Sequence, residues 1–317
     1  MRKARGVRCS LLFFLAIIFM APSIWAAEVW VTNMGEASVM VIDSATNKVI
    51  ATIPADKGAH NVSFSPDKKL AFVANVGANN VTVIDAVAKK PIATIPAGTR
   101  AHHVAVFADG KVAYVANPGS DDVTVVDVGQ KKAVHTLPMG KGPMMTVFTK
   151  DGKKAFVSNA LDGTLSIIDT TTHKVVKTIP GGKGTMACLL SPDGKLAWLT
   201  AGDEDKVIAL DLASEAQVAA IPVSGEPHGM ALSLDGKYAY VVQRKANALA
   251  VLDLETKAII SAAPMGKRPD MIAMTPDGKR LYVTSRAEDK VLAVDVESLK
   301  VVAEISVGKE PHGVDVR

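Results

Sequence analysis

A repeat of 42 residues runs through almost the whole chain and strongly limits its possible folds. Seven similar apolar segments begin 42 residues apart, at Val29, Ala71, Ala113, Ala155, Ala197, Ala239 and Leu281. Aspartates keep the same spacing at Asp43, Asp85, Asp127, Asp169, Asp211, Asp253 and Asp295. A period of this length indicates an array of one repeated supersecondary unit.

Each repeat contains four short segments with the pattern of β-strands. One repeat shows them as HVAVFA from His103, VAYVAN from Val112, VTVVDV from Val123 and AVHTLP from Ala133. Asp109–Gly110 predicts a hairpin turn between the first two. Apolar residues alternate or run continuously, as in strands buried on both faces, and no segment has a helical period. The sequence therefore predicts an all-β fold, a seven-bladed β-propeller with four antiparallel strands per blade.

The two ends of the repeat array predict how the ring closes. The first repeat begins with a second strand, EVWVTN from Glu28, and the chain ends with a first strand, HGVDVR from His312. The C-terminal strand is therefore predicted to complete the N-terminal blade, which joins the ring and removes an exposed sheet edge.

Short motifs within the repeats carry a family resemblance. The segments WVTN (Trp30 to Asn33), YVAN (Tyr114 to Asn117) and SPDGK (Ser191 to Lys195) resemble the repeats of YVTN-type β-propellers. That family includes surface-layer propellers, lactonase-like propellers and the haem-binding propellers of certain nitrite reductases. The resemblance covers the whole repeat array and implies the fold. It leaves the function open, because one fold carries many different sites.

Residues 1–26 have the composition of a signal peptide, so residues 27–317 are predicted to form the propeller. Four basic residues precede the apolar run Leu11 to Met20, which is too short for a stable membrane span. A periplasmic or secreted location follows, with no membrane span after cleavage. The basic residues of this segment account for the whole net charge of +4. The near-neutral remainder argues against nucleic acid as a partner.

The strongest functional pattern lies where the chain enters each innermost strand, at the predicted channel mouth. Seven positions 42 residues apart hold potential ligands there: His60, His102, Met144, Met186, His228, Asp270 and His312. Ring closure makes His312, His60 and His102 neighbours, with His103 as a further donor, and imidazoles suit zinc and copper. Met144 and Met186 with His228 form a softer set that favours Cu(I). Duplication of a structural histidine without a function is the alternative explanation of the pattern.

A second set of residues is predicted to surround this ring. Lysines stand three residues upstream in five repeats, at Lys57, Lys141, Lys183, Lys267 and Lys309, and Arg100 and Arg268 lie nearby. A cationic rim would attract an anionic ligand, such as a carboxylated tetrapyrrole, or an acidic protein partner in the periplasm.

Sequence motifs of common enzymes are absent, so no catalytic residues are predicted. The leading hypothesis is an exported propeller that binds a small ligand, foremost copper or zinc, at the histidine-bearing mouth. Three alternatives remain open: a protein-interaction scaffold, a metal-dependent hydrolase of the lactonase type, and a tetrapyrrole- or haem-binding protein.

Overall fold

The computed structural model describes residues 27–317, and the predicted signal peptide lies outside the described residues. Its 28 strands form seven four-stranded antiparallel sheets. The predicted seven-bladed β-propeller is confirmed. Two short 3-10 segments, Gly202–Glu204 and Arg286–Glu288, are the described helical elements, and no helix of the described chain is long enough to cross a membrane.

The blades are numbered here in chain order, with the innermost strand of each blade at the central channel. Blade 1 contains β1 (Glu28–Asn33), β2 (Ser38–Asp43), β3 (Lys48–Pro54) and, innermost, the C-terminal strand β28 (Pro311–Val316). Blade 2 contains β4 (Ala59–Phe64), β5 (Leu70–Asn75), β6 (Asn80–Asp85) and β7 (Lys90–Pro96). Blade 3 contains β8 (His103–Val106), β9 (Val112–Asn117), β10 (Asp122–Asp127) and β11 (Lys132–Pro138). Blade 4 contains β12 (Pro143–Phe148), β13 (Lys154–Asn159), β14 (Thr164–Asp169) and β15 (Lys174–Pro180).

The remaining blades repeat this order. Blade 5 contains β16 (Thr185–Leu190), β17 (Leu196–Ala201), β18 (Lys206–Asp211) and β19 (Ala216–Pro222). Blade 6 contains β20 (Pro227–Leu232), β21 (Tyr238–Gln243), β22 (Ala248–Asp253) and β23 (Ala258–Pro264). Blade 7 contains β24 (Pro269–Met274), β25 (Arg280–Ser285), β26 (Lys290–Asp295) and β27 (Val301–Ser306).

The four strands predicted for one repeat correspond to β8–β11, with bounds that differ by at most two residues. The largest difference is at β8, which ends at Val106 because Phe107 already belongs to the turn. The Phe107 N–H donates to the carbonyl of Val112 at 2.8 Å, and the Gly110 N–H donates to the carbonyl of Phe107 at 2.8 Å. Gly110 has φ +72°, a left-handed conformation that glycine adopts at little cost.

The predicted ring closure is confirmed by the pairing of β28 with β1. Val316 lies opposite Val29, and Val314 lies opposite Val31, in an antiparallel register. All four valines are buried, packed with Ile42 and Tyr282. The hydrophobic core therefore continues across the junction between the chain ends.

The core lies between neighbouring blades rather than inside one sheet. Second and third strands bury four or more consecutive side chains because both faces of each sheet pack against a neighbouring blade. The outermost strands are largely exposed, and in six of the seven a proline ends the strand. Proline has no N–H to donate, which weakens pairing of these edges with another chain.

Candidate functional site

The innermost strands bring the seven repeated residues to one end of the central channel. Each residue stands at or next to the start of its strand, so the 42-residue register becomes a ring around the axis. His60 lies between its two histidine neighbours, 3.6 Å from His312 and 4.1 Å from His102 between ring centroids. His228 is 6.2 Å from His312.

Hydrogen bonds around the ring orient the imidazoles. Nδ1 of each ring histidine contacts the carbonyl of the next ring position: His60 to His102 at 3.2 Å, His102 to Met144 at 3.2 Å, His228 to Asp270 at 3.0 Å and His312 to His60 at 3.0 Å. Because a carbonyl only accepts, Nδ1 carries the proton in each case and Nε2 keeps its lone pair. The repeat therefore fixes one tautomer throughout the ring.

The stacked histidines do not form a ready-made metal site. Within residues 27–317, no group of three or more His, Cys, Asp or Glu side chains is arranged to hold a metal ion. The His60 and His312 rings are inclined by only 33°, so they lie nearly face to face rather than pointing at one centre. Zinc requires ligands that converge tetrahedrally at about 2 Å. Binding of copper or zinc by His60, His102 and His312 stays a prediction.

His103 lies one step further into the channel than this stack. It is 8% exposed, and its Nδ1 accepts the N–H of Thr146 at 3.4 Å. This bond gives His103 the opposite tautomer from the ring histidines. It lines the inner side of the narrow cavity below the ring, which has room for about one water molecule at about 10 Å³.

On the other side of the ring, Asp270 holds two arginines that the sequence analysis missed. Arg244 donates to both Asp270 and Nε2 of His228, and Arg286 contacts the second oxygen of Asp270 at 3.4 Å. Asp270 is fully buried, and the two arginine side chains are about 15% exposed. His312 Nε2 lies 3.4 Å from the same carboxylate.

The same register could have revealed these arginines. The residue after each second strand also recurs every 42 positions: Met34, Val76, Pro118, Ala160, Gly202, Arg244 and Arg286. Each belongs to the same blade as one member of the ring, because it follows the strand that pairs with the ring residue's strand. Together they form a second layer at this end of the channel.

The side chains of that second layer divide the ring into two sectors. Pro118, Ala160 and Gly202 follow the second strands beside His102, Met144 and Met186, and those three ring residues are partly exposed. The other four ring residues, His60, His228, Asp270 and His312, are buried in blades where the second layer is Val76, Arg244, Arg286 and Met34. We call His102, Met144 and Met186 the open sector.

A cavity of about 70 Å³ adjoins the open sector. Met144, Met186 and His228 line it together with the small residues Ala160 and Gly202. Within the described chain, Nε2 of His102 has no hydrogen-bond partner. Cys188, two residues beyond Met186, is buried in the core, and burial raises the pKa of its thiol to about 12. The open sector therefore offers one imidazole and two thioethers to a ligand, without a thiolate.

Burial lowers the pKa of the histidines because the charged imidazolium loses its hydration. The pKa of His103 falls to about 4 and that of His228 to about 3. Burial also lowers the pKa of His60 and His102 well below the usual value, and repulsion from neighbouring imidazoles adds to the effect. For His312, burial outweighs the attraction of Asp270. The ring histidines are therefore neutral at pH 7.

Asp270 remains ionised in this buried place. Burial by itself raises the pKa of Asp270, but the positive charges of His312, His228 and Arg244 outweigh it and hold the pKa well below its usual range. Because the histidines are neutral at pH 7, the two arginines are the lasting cations beside the carboxylate. This sector is an internally neutralised cluster and leaves little free charge for a ligand.

The predicted rim residues lie further out. Arg100 and Arg268 are exposed in loop turns with positive φ, where their N–H groups donate to Asn79 and Asn247 at 2.8 and 2.7 Å. Their guanidinium groups are not part of the ring. The rim also carries acids: Lys141 pairs with Asp121 at 2.7 Å. The rim is thus mixed in charge rather than uniformly cationic.

Replacement of Asp270 by alanine is expected to destabilise the protein by about 3–5 kcal/mol, because it leaves two buried arginines without their anion. Chemical denaturation at pH 7 measures the change in free energy of unfolding. Glu226→Gln is the control, since Glu226 contacts Arg244 at 3.2 Å from a more exposed position and should cost about 1 kcal/mol or less. A loss below about 1 kcal/mol for Asp270→Ala would contradict the proposed role of the carboxylate.

Comparison with known families agrees with this architecture. The family model described as YNCE-like beta-propeller matches residues 98–236 and 230–316, which is more than half of the chain. The chain belongs to the YNCE-like β-propeller family. The resemblance to YVTN-type propellers is thereby confirmed. A second model, described as the cytochrome D1 heme domain, matches residues 27–139 of this YNCE-like propeller, a range that contains His60, His102 and His103.

Solved structures with the same fold have diverse printed functions. Hydrazine synthase of Kuenenia stuttgartiensis is 21% identical, with a TM-score of 0.79 over 91% of this chain and 100% of that chain. The dihydro-heme d1 dehydrogenase NirN, in complex with DHE, is 20% identical, with a TM-score of 0.67 over 90% and 74%. A putative 6-phosphogluconolactonase of Bacteroides fragilis is 18% identical, with a TM-score of 0.80 over 94% and 99%. A search of curated proteins found no match. At these identities the structures establish the fold alone.

Proposed function

We propose that this YNCE-like propeller is an exported protein that binds a tetrapyrrole of the haem class at the open sector of its channel mouth. The observation that carries the proposal is the partial exposure of His102, Met144 and Met186 beside small second-layer residues. Imidazole and thioether are both axial ligands of haem iron. Export, to the periplasm or beyond, is part of the proposal and is supported by the basic and apolar composition of residues 1–26.

The geometry of His102 suits an axial ligand. Its Nδ1–H donates to the carbonyl of Met144 at 3.2 Å, which fixes the ring and leaves the Nε2 lone pair for a metal. A hydrogen bond of this kind also makes the imidazole a better ligand. The channel cavities are too small for a macrocycle, so the tetrapyrrole would lie across the mouth. Lys141 and Lys183, in the exposed loops before Met144 and Met186, would face its carboxylates.

The comparisons support the same ligand class. The cytochrome D1 heme domain model matches the part of the chain that contains His102. NirN, whose structure is described as a complex with DHE, shares the fold. These similarities make a tetrapyrrole the first ligand to test.

Titration of the purified protein with hemin tests the proposal through the Soret absorption band. We expect a saturable, red-shifted band, and a loss of affinity of at least about tenfold in His102→Ala. A Met144→Leu/Met186→Leu variant should shift the band or weaken binding, because leucine retains the volume but removes both thioethers. His135→Ala, an exposed change on the outer strand β11, is the matched control. Equal hemin binding by the parent, His102→Ala and the double leucine variant would overturn the proposal.

Cu(I) is the second candidate ligand, and the cavity lined by Met144, Met186 and His228 favours it. Two thioethers and an imidazole are soft ligands that prefer Cu(I) to Zn(II). Competition with a Cu(I) chelator, with the variants above, separates the two candidates. A copper site would lose Cu(I) in the double leucine variant, whereas the parent would show no specific hemin spectrum. No contact in the described chain favours the lactonase or scaffold alternatives, and both stay hypotheses.

A further inference from the structure

One blade departs from the repeat at the opposite end of the channel, in the turn between its first and second strands. In five other blades the first residue of this turn is a serine or threonine: Ser65, Thr149, Ser191, Ser233 and Thr275. Its hydroxyl donates to an aspartate two residues later at 2.6–2.7 Å and closes the turn. Blade 3 has Phe107 instead. The turn forms without the hydroxyl, so the phenylalanine serves another purpose.

Phe107 builds an aromatic wall between blades 3 and 4. Its ring lies 5.2 Å from that of Phe148, which lies 5.0 Å from that of Tyr114. Gly152 permits this packing, since a Cβ at that position would overlap the Phe107 ring. The three aromatic residues line a cavity of about 290 Å³, which we call the interblade cleft. This volume is close to the lower limit of small-molecule sites.

A tyrosine–histidine pair forms the inner polar part of the cleft. The Tyr114 hydroxyl contacts Nδ1 of His173 at 2.6 Å, across the blade boundary. Burial raises the pKa of Tyr114 and lowers that of His173, with repulsion from His135 adding to the second shift. Both groups are therefore neutral at pH 7, with the tyrosine as donor.

The charged groups around the interblade cleft are mainly acidic. Asp109 and Asp151 line its opening, against the single cation Lys153. Each aspartate uses Oδ1 to accept a turn N–H, from Lys111 at 2.8 Å and from Lys153 at 3.1 Å. Asp169 adds negative charge that acts on both Tyr114 and His173. The cleft thus combines aromatic faces with a negative potential.

We propose that the interblade cleft binds a small organic cation with an apolar body, of the alkylated ammonium class. Aromatic faces attract such cations through their quadrupole, and desolvation strengthens the attraction. The carboxylates of Asp109 and Asp151 supply the opposite charge at the opening. This site is independent of the channel mouth, because it lies at the other end of the innermost strands.

Choline and its neutral isostere 3,3-dimethyl-1-butanol test the proposal by isothermal titration calorimetry. We expect choline to bind the full chain more tightly than the isostere. Phe107→Ser should weaken choline binding roughly 3- to 30-fold, the range of a cation–π contact. Serine is the residue that the repeat itself uses at this position, so the variant should fold. Ser233→Ala, at the same turn position in blade 6, is the matched control and should leave binding unchanged.

Asp109→Asn provides a second variant that does not depend on the aromatic wall. Asparagine keeps the oxygen that accepts the turn N–H, so this change removes charge and little else. It should weaken binding of choline and leave that of the neutral isostere unchanged. Absence of choline binding, equal affinity for the isostere, or choline affinity unchanged in both Phe107→Ser and Asp109→Asn would each overturn the proposal. The aromatic wall would then be a packing feature of blades 3 and 4.

Discussion

The free energy of unfolding is expected to fall steeply as the pH drops from 7 to 5, because buried neutral histidines must give way to protonated ones in the unfolded chain. The native pKa values of His103 and His228 lie at about 4 and 3. An unfolded histidine has a pKa of about 6.5. Between these values the unfolded chain binds more protons than the native protein. The stabilising contribution is therefore present above pH 6.5 and is lost as the pH falls.

The expected size of this effect is large. At pH 5 each histidine with a native pKa of 4 or lower costs about 2 kcal/mol, so His103 and His228 together cost about 4 kcal/mol. His60, His102 and His312 add in the same direction, since their pKa values are also lowered. At still lower pH the carboxylate of Asp270 contributes as well. Its native pKa is depressed, so its stabilising effect is lost only below the usual aspartate range.

Chemical denaturation of the ligand-free protein at several pH values measures this dependence. The variant His103→Met places at this position the residue that two other repeats have there, Met145 and Met271. It should remove about 2 kcal/mol of the difference between pH 7 and pH 5. His135→Gln, on the exposed outer strand, should leave the difference unchanged. A change in stability below about 1 kcal/mol between these pH values would show that the ring histidines accept protons without unfolding.

Deletion of residues 312–317 is expected to open the propeller and remove most of its stability. Those residues contain most of β28, including the buried Val314 and Val316. Loss of two buried valines alone costs about 3–6 kcal/mol, and the strand's hydrogen bonds to β1 are lost too. The total approaches the whole stability of a typical domain. The free edge of β1 should also promote association with other chains.

Hydrogen bonds of β28 to both neighbouring blades add to this expectation. The Gly313 N–H donates to the hydroxyl of Thr32 at 2.8 Å, and the hydroxyl of Thr284 donates to the carbonyl of His312 at 2.9 Å. The deletion would therefore loosen blade 7 as well as blade 1. Limited proteolysis and thermal unfolding of the truncated protein should show both effects.

A circular permutant is the matched control for the deletion. Residues 311–317 would be placed directly before residue 27, which gives blade 1 the strand order of the other six blades. The ends to be joined are close, because the Glu28 N–H donates to the carbonyl of Arg317 at 3.0 Å. The permutant should unfold near the parent temperature. If the truncated protein is as stable as the permutant, ring closure by β28 does not hold the propeller together.

The fold could be read from the sequence because its evidence is local and repeated seven times. Alternating apolar residues and turn residues set each strand, so the predicted segments from Val112 and Val123 agree with β9 and β10 within one residue. The ring of potential ligands was predictable for the same reason, since residues 42 apart occupy equivalent backbone positions. The exception at β8 arises from Phe107, which replaces the hydroxyl residue of this turn.

The arrangement within the ring was not predictable from the period. Equivalent backbone positions do not tell whether neighbouring imidazoles converge or stack, and His60 stacks on His312, a residue 252 positions away. The arginines of the buried cluster escaped notice because they belong to a second register, ending at Arg244 and Arg286. Their importance depends on contact with Asp270, 26 and 16 residues away in the chain.

The sequence by itself determined the architecture: the strand pattern, the number of blades, the closure by the last strand and the set of residues at the channel mouth. Local hydrogen bonding and side-chain alternation are sufficient for these features, and each repeat contains them. Only the tertiary structure decided which ring residues are exposed and which are neutralised. Those properties depend on side chains from different blades that meet around the axis, where the size of Gly202 or the charge of Arg244 changes the surroundings of a residue elsewhere in the chain.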